Sequence, residues 1–328
     1  MKAFERLREL RQTRDIRNSS AEVTLTAEQF VQPFFVVPGQ GICQPISSLE
    51  GVFRLSPDVL LEEVKRLEGV GGKRILLFGV IEQSKKTQGG LQALDPQGPV
   101  PQALRLLKSN LPQIEVLTDI CLCPYTSHGH CGILRGESEI DNDATLPLLA
   151  EMARIHALEG ADVVAPSSMM DGQVSALRGV LPASTAILSY SVKFASRLYG
   201  PFRDAAGCAP SFGDRRTYQL DPRASSQIVR EAAADVAEGA DALMVKPAHW
   251  YQDALWRVKQ AHSHIPLYAY QVSGEYMMLK LGARAGLFSF QEAFLESLVA
   301  LRRSGADFLI TYGTKEALHA LAQIETSF

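Results

Sequence analysis

Short apolar runs recur along the chain, and each is followed by a glycine, proline or polar cluster and then by a segment with helical periodicity. Eight of these runs predict β-strands, at residues 34–37, 74–80, 115–121, 162–165, 186–190, 242–245, 267–271 and 308–312. Three of the helix-to-strand junctions share the sequence Gly-Ala-Asp, at residues 160–162, 239–241 and 305–307. Glycine at such a junction favours the left-handed conformation that ends a helix. The pattern is typical of a βα repeat.

Eight parallel strands alternating with helices predict an α/β fold, a (β/α)8 TIM barrel whose reactive residues lie at the carboxyl ends of the strands. An open doubly wound sheet is the alternative, but no glycine-rich phosphate-binding sequence follows any strand. Residues 29–328 would form this single catalytic domain. Residues 1–28 show a mixed-charge helical pattern with little apolar surface, and they predict an N-terminal extended arm. Such an arm either packs on a neighbouring subunit or frays in solvent.

The composition is that of a globular protein, because 46% of the 328 residues are apolar and 21% are charged. A net charge of -3 provides no bulk attraction for nucleic acid. We expect no membrane partner, since no apolar run approaches the length of a membrane span and the amino terminus lacks an apolar signal core. The five cysteines are few and clustered, which predicts a reducing, cytoplasmic location.

Three of the cysteines, Cys121, Cys123 and Cys131, lie within eleven residues after a predicted strand. Three converging thiolates suit a tetrahedral zinc ion and leave one coordination position open for chemistry. The alternative is a strand end with buried free thiols, although packing alone does not require three cysteines in one loop. The neighbouring His128 and His130 are either ligands or turn residues.

Two lysines, Lys193 and Lys246, follow adjacent predicted strands, where a buried ammonium group is unfavourable unless it is paired or neutral. Two ammonium groups about 5 Å apart repel by about 3 kcal/mol at an effective dielectric constant of about 20. That repulsion, together with partial desolvation, would bring one amine toward neutrality, so that it could form a Schiff base with a ketone. A single such lysine would be as consistent with a structural salt bridge.

Residues 194–220 are too long and too rich in glycine and proline for a simple connection, and they predict a lid. Arg203 and Arg215 on this segment suit a carboxylate, and closure of the lid would exclude water from an imine. A solvated basic loop is the alternative, but it would not explain the aromatic residues that are interleaved with the arginines.

Six motifs carry a close resemblance to the porphobilinogen synthase family, also called δ-aminolevulinic acid dehydratases. They lie at residues 119–131, 189–196, 199–203, 213–219, 244–247 and 270–276, and the resemblance extends over residues 30–312. It implies a lyase that condenses two 5-aminolevulinate molecules to porphobilinogen, with loss of two waters, in tetrapyrrole (haem) biosynthesis. Lys246 and Lys193 would form the Schiff bases. Lys246 would bind the substrate molecule that supplies the propionate side chain, called the P-side substrate. Asp119 would support proton transfer.

The resemblance also implies the residues that bind the two substrate carboxylates. Ser273 and Tyr312 would bind the P-side carboxylate. The carboxylate of the second molecule, the A-side, would be bound by Arg203 and Arg215, with Tyr199 and Gln219 nearby.

Members of the family differ in their metal site, and this chain is similar to the class with three zinc-binding cysteines. The resemblance further implies a Mg²⁺ site at a subunit interface that includes Glu231, and a homo-octamer built from dimers that embrace through their arms. Three features depart from the usual family pattern: Ser168, Gln173 and the segment 85–95. These departures leave open the contacts at the barrel rim and the assembly.

Two other functions fit parts of the pattern. A class I aldolase would also place a Schiff-base lysine in a barrel, but it would need one lysine and no thiolate cluster. A non-catalytic zinc-binding protein would retain the metal and the fold without turnover.

Overall fold

The computed structural model describes residues 5–325. Residues 1–4 of the predicted arm and residues 326–328 of the predicted barrel domain lie outside the described residues. The strands are β1 (Phe30–Val36), β2 (Cys43–Pro45), β3 (Phe53–Leu55), β4 (Arg74–Gly79), β5 (Glu115–Ile120), β6 (Ile133–Arg135), β7 (Glu139–Asp141), β8 (Val163–Pro166), β9 (Ala186–Lys193), β10 (Ala242–Lys246), β11 (Leu267–Tyr270) and β12 (Phe308–Ile310).

The α-helices follow the strands in the order that a βα repeat requires. They are α1 (Arg14–Ser19), α2 (Pro57–Gly69), α3 (Pro99–Asn110), α4 (Asn142–Leu158), α5 (Gln173–Arg178), α6 (Gly200–Ala206), α7 (Gln227–Glu238), α8 (Gln252–Ala261), α9 (Ser273–Arg284), α10 (Phe290–Arg303) and α11 (Thr314–Glu325). None of these helices combines the length and the apolar character that crossing a bilayer requires.

Eight parallel strands close into a barrel in the order β1-β4-β5-β8-β9-β10-β11-β12, and β12 pairs with β1. This closure confirms the predicted TIM barrel and excludes the open doubly wound sheet. The short strands lie outside the ring: β3 extends from β1 and pairs with β2, while β6 and β7 form a separate hairpin.

All eight predicted barrel strands are present, but the first begins at Phe30, four residues earlier than predicted. Gln32 and Pro33 interrupt the apolar pattern, which is why the sequence placed the start later. Every residue of β1 is nevertheless buried. The Nε2 atom of Gln32 has a partner inside the barrel, because it donates to the carbonyl oxygen of Pro33 at 3.1 Å.

The repeated Gly-Ala-Asp sequence closes three βα units in the same way. Its glycines, Gly160, Gly239 and Gly305, have φ values of 105°, 103° and 107°, so the predicted left-handed conformation is confirmed. Each aspartate then accepts a hydrogen bond from a backbone N–H of the preceding barrel strand: Asp162 from Val116 at 2.7 Å, Asp241 from Ile187 at 2.7 Å and Asp307 from Leu267 at 2.8 Å. The repeat thereby joins each incoming strand to its neighbour at the amino-terminal end of the barrel.

The segment before the barrel has no core of its own. Neither a short 3-10 helix at Leu7–Arg11 nor α1 buries any residue. Leu7 and Leu10 are 50% and 58% exposed. Helices this short are marginal in isolation, because packing normally supplies most of their stability.

Candidate active site

The two lysines that the sequence singled out are the last residues of β9 and β10. These strands are adjacent and parallel, and Lys193 pairs in register with Lys246. Only 5% of Lys193 and 4% of Lys246 is exposed. The closed barrel therefore brings both amines to the same place at its carboxyl end.

Lys246 Nζ lies in an aromatic cage. Measured from Nζ to the ring centroids, Tyr270 is at 4.1 Å, Phe202 at 5.0 Å, Tyr190 at 5.0 Å, Tyr199 at 5.6 Å and Phe78 at 5.9 Å. Burial, followed by repulsion from Lys193, lowers the pKa of Lys246 to about 7. A substantial fraction of neutral amine is therefore present near neutral pH.

From the sequence we expected repulsion between the lysines, together with partial desolvation, to lower the pKa of one amine. In the structure, desolvation of Lys246 is the larger effect and repulsion from Lys193 is the smaller one. The reason is the number of rings around Nζ, which come from distant parts of the chain. Their convergence depends on closure of the barrel, so it could not be predicted from two strand ends.

Asp119 and Ser167 lie at the neighbouring strand ends. Lys193 Nζ donates a hydrogen bond to the backbone carbonyl of Ser167. Burial raises the pKa of Asp119 to about 6, against the opposing effects of a hydrogen bond from Ser167 and of the two lysines. Asp119 Oδ1 has no hydrogen-bond partner within residues 5–325. Asp119 is thus a carboxyl group suited to exchange protons near neutral pH.

The three predicted zinc ligands converge. The sulfur atoms of Cys121, Cys123 and Cys131 lie within 4.8 Å of one another, and all three residues are buried. Burial raises the pKa of Cys121 to about 12, while hydrogen bonds from Cys121 and Cys123 lower the pKa of Cys131 well below its usual range. The cluster therefore places soft donors where a divalent cation can stabilise their thiolate forms.

The two histidines of this loop have partners other than the sulfur cluster. His130 Nε2 lies 3.0 Å from the carbonyl oxygen of Phe212, and its Nδ1 lies 3.0 Å from the Tyr218 hydroxyl. His128 Nε2 lies 3.2 Å from the carbonyl oxygen of Gln88. These contacts favour the interpretation of His128 and His130 as turn residues rather than metal ligands, because both rings join the cysteine loop to other segments.

The predicted lid begins with a 3-10 turn at Arg197–Tyr199 and α6, and continues as irregular backbone up to Leu220. Arg215 is buried, and its Nη2 donates to the carbonyl oxygens of Gly129 at 2.8 Å and Cys208 at 2.7 Å. Burial, followed by repulsion from Arg215, lowers the pKa of Arg203. The two guanidinium groups are therefore close enough to repel each other.

Several polar atoms of the lid are buried without a hydrogen-bond partner in the described part of the chain. They are Nε of Arg203, Nε of Arg215 and both amide atoms of Gln219. Buried polar groups are almost always satisfied in native proteins. Two cationic side chains, each with a buried nitrogen that lacks a partner, and an amide without one thus fit an anionic ligand that carries a carboxylate.

Three further predicted substrate residues lie on the Lys246 side of the site: Ser273, Tyr312 and Tyr199. Ser273 is the first residue of α9, and its Oγ accepts a hydrogen bond from the Phe202 backbone N–H at 3.0 Å. The Tyr312 hydroxyl lies 3.2 Å from that of Tyr270. The Tyr199 hydroxyl donates to the carbonyl oxygen of Phe194 at 2.8 Å. Tyr199 thus presents its ring to Lys246, while its hydroxyl binds the backbone.

Glu275 is a buried residue that the sequence analysis did not single out. Its carboxylate accepts hydrogen bonds from the backbone N–H groups of His249 and Val272, both at 2.9 Å. It therefore joins the loop that follows Lys246 to the loop that precedes Ser273. A glutamate at the third position of a helix is a helix-start signal. This signal could have identified Glu275 from the sequence.

Glu231, the predicted Mg²⁺ ligand, lies on α7 at a cavity of about 1010 Å³ whose lining includes neither lysine. Burial, followed by repulsion from Asp171 and Asp235, raises the pKa of Glu231. Gln173, one of the departures from the family pattern, also lines this cavity. Gln219 of the lid lines the same cavity, so Glu231 and Gln173 share it with one of the predicted substrate-binding residues.

Comparison with known proteins agrees with this geometry. The family model described as delta-aminolevulinic acid dehydratase matches residues 4–320. A delta-aminolevulinic acid dehydratase of Synechococcus elongatus is 44% identical over 324 residues, which are 97% of this chain and 98% of that protein. The Bos taurus protein of the same name is 45% identical over 314 residues, 94% of this chain and 95% of that protein.

A solved structure gives the same result. The crystal structure of delta-aminolevulinic acid dehydratase (porphobilinogen synthase) from Toxoplasma gondii, in complex with the reaction product porphobilinogen, superimposes with a TM-score of 0.94. Its sequence is 41% identical, and the match covers 97% of this chain and 92% of that one. The chain therefore belongs to the delta-aminolevulinic acid dehydratase family.

Proposed function

We propose that this chain carries out its family's reaction, the condensation of two 5-aminolevulinate molecules to porphobilinogen, through Schiff bases on Lys246 and Lys193. As a member of this family the chain is an enzyme of the hydro-lyase type that acts in tetrapyrrole biosynthesis. One observation carries the proposed mechanism: two buried lysines end adjacent strands in register, beside Asp119 and three clustered thiols.

The first step needs a neutral amine. Lys246, with a pKa of about 7, attacks the ketone carbon of the P-side substrate. A carbon–nitrogen double bond forms, and the ketone oxygen leaves as water after it has accepted two protons. Lys193 captures the second ketone in the same way. Asp119, with a pKa of about 6, takes up and returns the protons that these steps require.

The carboxylates of the two substrates bind at opposite sides of the lysine pair. Arg203 and Arg215 bind the A-side carboxylate, assisted by Gln219, which accounts for their buried atoms without partners. On the other side, Ser273 and Tyr312 bind the P-side carboxylate. Ser273 begins a helix of 12 residues, whose amino-terminal N–H groups favour an anion.

A zinc ion fits the three cysteines, and we assign the chain to the three-cysteine class on that basis. Three buried thiols with sulfurs inside 4.8 Å match the soft donor set of such a site. When bound there, zinc would supply a Lewis acid that polarises an oxygen or nitrogen atom of the A-side substrate. The thiols must remain reduced for this role, which is consistent with action in the cytoplasm.

A second cation, Mg²⁺, is proposed at Glu231. Oxygen donors are what Mg²⁺ prefers, and it usually retains several waters, which the cavity of about 1010 Å³ can hold. The raised pKa of Glu231, caused first by burial and then by neighbouring carboxylates, would be relieved by a bound cation.

We further propose that residues 1–28 are an arm that packs on another subunit of a homo-octamer, while residues 29–328 form the catalytic barrel. The exposure of Leu7 and Leu10 supports this, because a second chain could bury them. Removal of residues 1–24 should leave a folded barrel but a smaller particle by light scattering. An unchanged particle size would contradict the proposal.

Three experiments test the proposed chemistry. In the first, purified protein should form porphobilinogen from 5-aminolevulinate in a colorimetric assay. In the second, a chelator that removes the metal should abolish this activity, and Zn²⁺ should restore it.

In the third experiment, borohydride added with 5-aminolevulinate should leave a reduced adduct on Lys246, which peptide mass spectrometry would locate. Protein without an adduct would contradict the Schiff-base mechanism. Full activity in metal-free protein would instead contradict the zinc assignment.

A further inference from the structure

The short helix α6, in the first part of the lid, carries two side chains of the proposed site. Phe202 is one of the rings around Lys246, with its centroid 5.0 Å from Nζ. The next residue, Arg203, is the proposed partner of the A-side carboxylate. Because α6 has only seven residues, it is marginal in isolation. Contacts with the rest of the chain must therefore fix its position.

The amino-terminal half of α6 is fixed through Phe202. The backbone N–H of Phe202 donates to Ser273 Oγ at 3.0 Å. Its ring packs edge-on against that of Phe78, with the centroids 5.0 Å apart, and lies 5.7 Å from the ring of Phe35. These contacts join this half of the helix to the barrel strands β1 and β4 and to the start of α9.

The carboxyl end of α6 is held by two cations from outside the lid. Arg54 Nη2 donates to the carbonyl oxygen of Asp204 at 2.6 Å, and Arg54 Nε donates to that of Ala205 at 2.8 Å. Lys86 Nζ donates to the carbonyl oxygen of Gly207, the residue that ends the helix. The last carbonyl groups of an α-helix lack their usual partners and carry the negative end of its dipole. Both properties favour cations at this place.

Arg54 reaches α6 from the small extension of the barrel that β2 and β3 form. On β3, Arg54 pairs in register with Phe35 of β1, whose ring faces Phe202. The same pair of strands therefore contacts both halves of α6, through the Phe35 ring and through the Arg54 guanidinium. The planar guanidinium group binds two successive backbone oxygens, which fixes the direction of the helix as well as its distance from the barrel.

We propose that Arg54 is a positioning residue, which holds α6 over the barrel mouth without touching substrate, and that Lys86 assists it. While α6 is held, Phe202 covers Lys246 and the next residue faces the A-side carboxylate. When the contact is lost, water reaches Lys246 and favours its charged form. The fraction of the protein that can bind the carboxylate also falls. This inference rests on the proposed function for the identity of the substrate.

The test compares the wild-type protein with Arg54→Gln, Arg54→Lys and Arg178→Gln. Arg54→Lys retains the charge and a donor for the same oxygens. Arg178→Gln is the matched control, because Arg178 also donates twice to a carbonyl oxygen at the end of a helix. Its Nε and Nη2 lie 3.3 and 3.1 Å from the Gly239 oxygen after α7, at the opposite end of the barrel from the lid. Both glutamine variants should lose stability, so stability alone does not distinguish them.

The first measurement is hydrogen–deuterium exchange of the peptide that contains residues 200–206, which needs no substrate. We expect exchange to be about tenfold faster in Arg54→Gln than in the wild type, because α6 leaves the barrel more often. Arg54→Lys should lie between the two, and Arg178→Gln should match the wild type. Unchanged exchange in Arg54→Gln would overturn the inference, and so would an equal increase in Arg178→Gln.

The second measurement combines steady-state kinetics with the pH dependence of borohydride trapping at Lys246. Arg54→Gln should raise KM for 5-aminolevulinate about tenfold and change kcat less than about twofold, because bound substrate itself holds α6 in place. The midpoint of its trapping profile should rise by about half a pH unit or more, because the amine is better hydrated. Arg54→Lys should restore most of both effects, and Arg178→Gln should show neither.

The outcomes separate this inference from the proposed function. A wild-type KM and trapping profile in Arg54→Gln, in a protein that forms porphobilinogen, would overturn the positioning role and leave the proposed function intact. A wild-type protein that forms neither adduct nor product would contradict the proposed function instead. Faster exchange of α6 in Arg54→Gln would in that case still support the hold of Arg54 on the helix.

Discussion

Lys193 and Lys246 pair in register at the carboxyl ends of two neighbouring parallel strands. Their Nζ atoms approach the same ring, that of Tyr190, at 5.5 and 5.0 Å from its centroid. A ketone captured by one amine would therefore be held beside a ketone captured by the other. Bringing two reactants together in this way removes much of the entropic cost of their reaction.

The first prediction concerns pH. An imine forms only from the neutral amine, and the pKa of Lys246 is lowered, by burial first, to about 7. The neutral fraction then rises with pH, from about 10% at pH 6 to about 90% at pH 8. The initial rate of borohydride-trapped adduct formation at Lys246 should therefore increase about tenfold over this interval and then level off.

A lysine with an ordinary pKa would behave differently, because its neutral fraction would still rise about tenfold per pH unit above pH 8. Continued increase through pH 9 would thus contradict the first prediction. Lys246→Arg is the control for the site of trapping, since it keeps a cation but should give no adduct at that position.

The second prediction concerns the carboxylate pocket. Arg203→Gln removes a charged hydrogen-bond donor whose Nε has no protein partner among the residues described. A charged hydrogen bond contributes about 1.5–3 kcal/mol, so kcat/KM for 5-aminolevulinate should fall about 10- to 150-fold. The matched control is Arg216→Gln, because Arg216 is exposed and forms an ion pair with Asp214 at 3.4 Å. Equal kinetic effects of the two substitutions would argue against a substrate contact.

The third prediction concerns the contact between the lid and the cysteine loop. A methyl group at Gly129, which has φ of +72°, would collide with the Ala209 carbonyl oxygen and would meet that of Cys208 at 3.2 Å. Gly129→Ala should therefore displace the lid and lower kcat/KM about 10- to 100-fold. It should also increase proteolysis after Arg215 and Arg216.

Gly213→Ala is the control for backbone strain in that experiment. Gly213 also has a positive φ, +52°, but a methyl group there would meet nothing within 4 Å. Both variants should lose about 1–2 kcal/mol of stability from the left-handed conformation, while only Gly129→Ala should lose activity to this extent. Similar activity losses would show that strain, rather than the lid contact, is responsible.

The fourth prediction concerns Glu275, which joins the loops of Lys246 and Ser273. Glu275→Ala leaves one buried and one partly buried N–H group without an acceptor, at a cost of up to about 1–3 kcal/mol each. Glu275→Gln should recover part of that loss, because its amide oxygen can accept one of the two bonds. Denaturant unfolding measures both variants.

Glu292→Ala is the corresponding control, since Glu292 lies in the first turn of α10 but is exposed. Its effect on the free energy of unfolding should remain within about 0.5 kcal/mol. A cost for Glu275→Ala no larger than this would show that the two loops do not depend on the carboxylate.

Much of the fold follows from local pattern. The apolar runs predicted all eight barrel strands, and the repeated Gly-Ala-Asp predicted the left-handed glycines, since both depend on interactions within a few residues. Asp119, Lys193 and Lys246 could be placed at one rim, because a βα repeat puts all strand ends there. The start of β1 was wrong by four residues, because closure of the barrel buries Gln32 and gives its Nε2 a backbone acceptor.

The chain by itself thus determined the architecture, the lysine pair and the three clustered cysteines, because periodicity and spacing are properties of neighbouring residues. Only the tertiary structure decided the aromatic cage that lowers the pKa of Lys246 and the partners of His130. Each of these depends on segments far apart in sequence that meet only when the barrel closes and the lid packs on it. Burial, which sets the proton affinity of the amine, is a property of that closed assembly rather than of any motif.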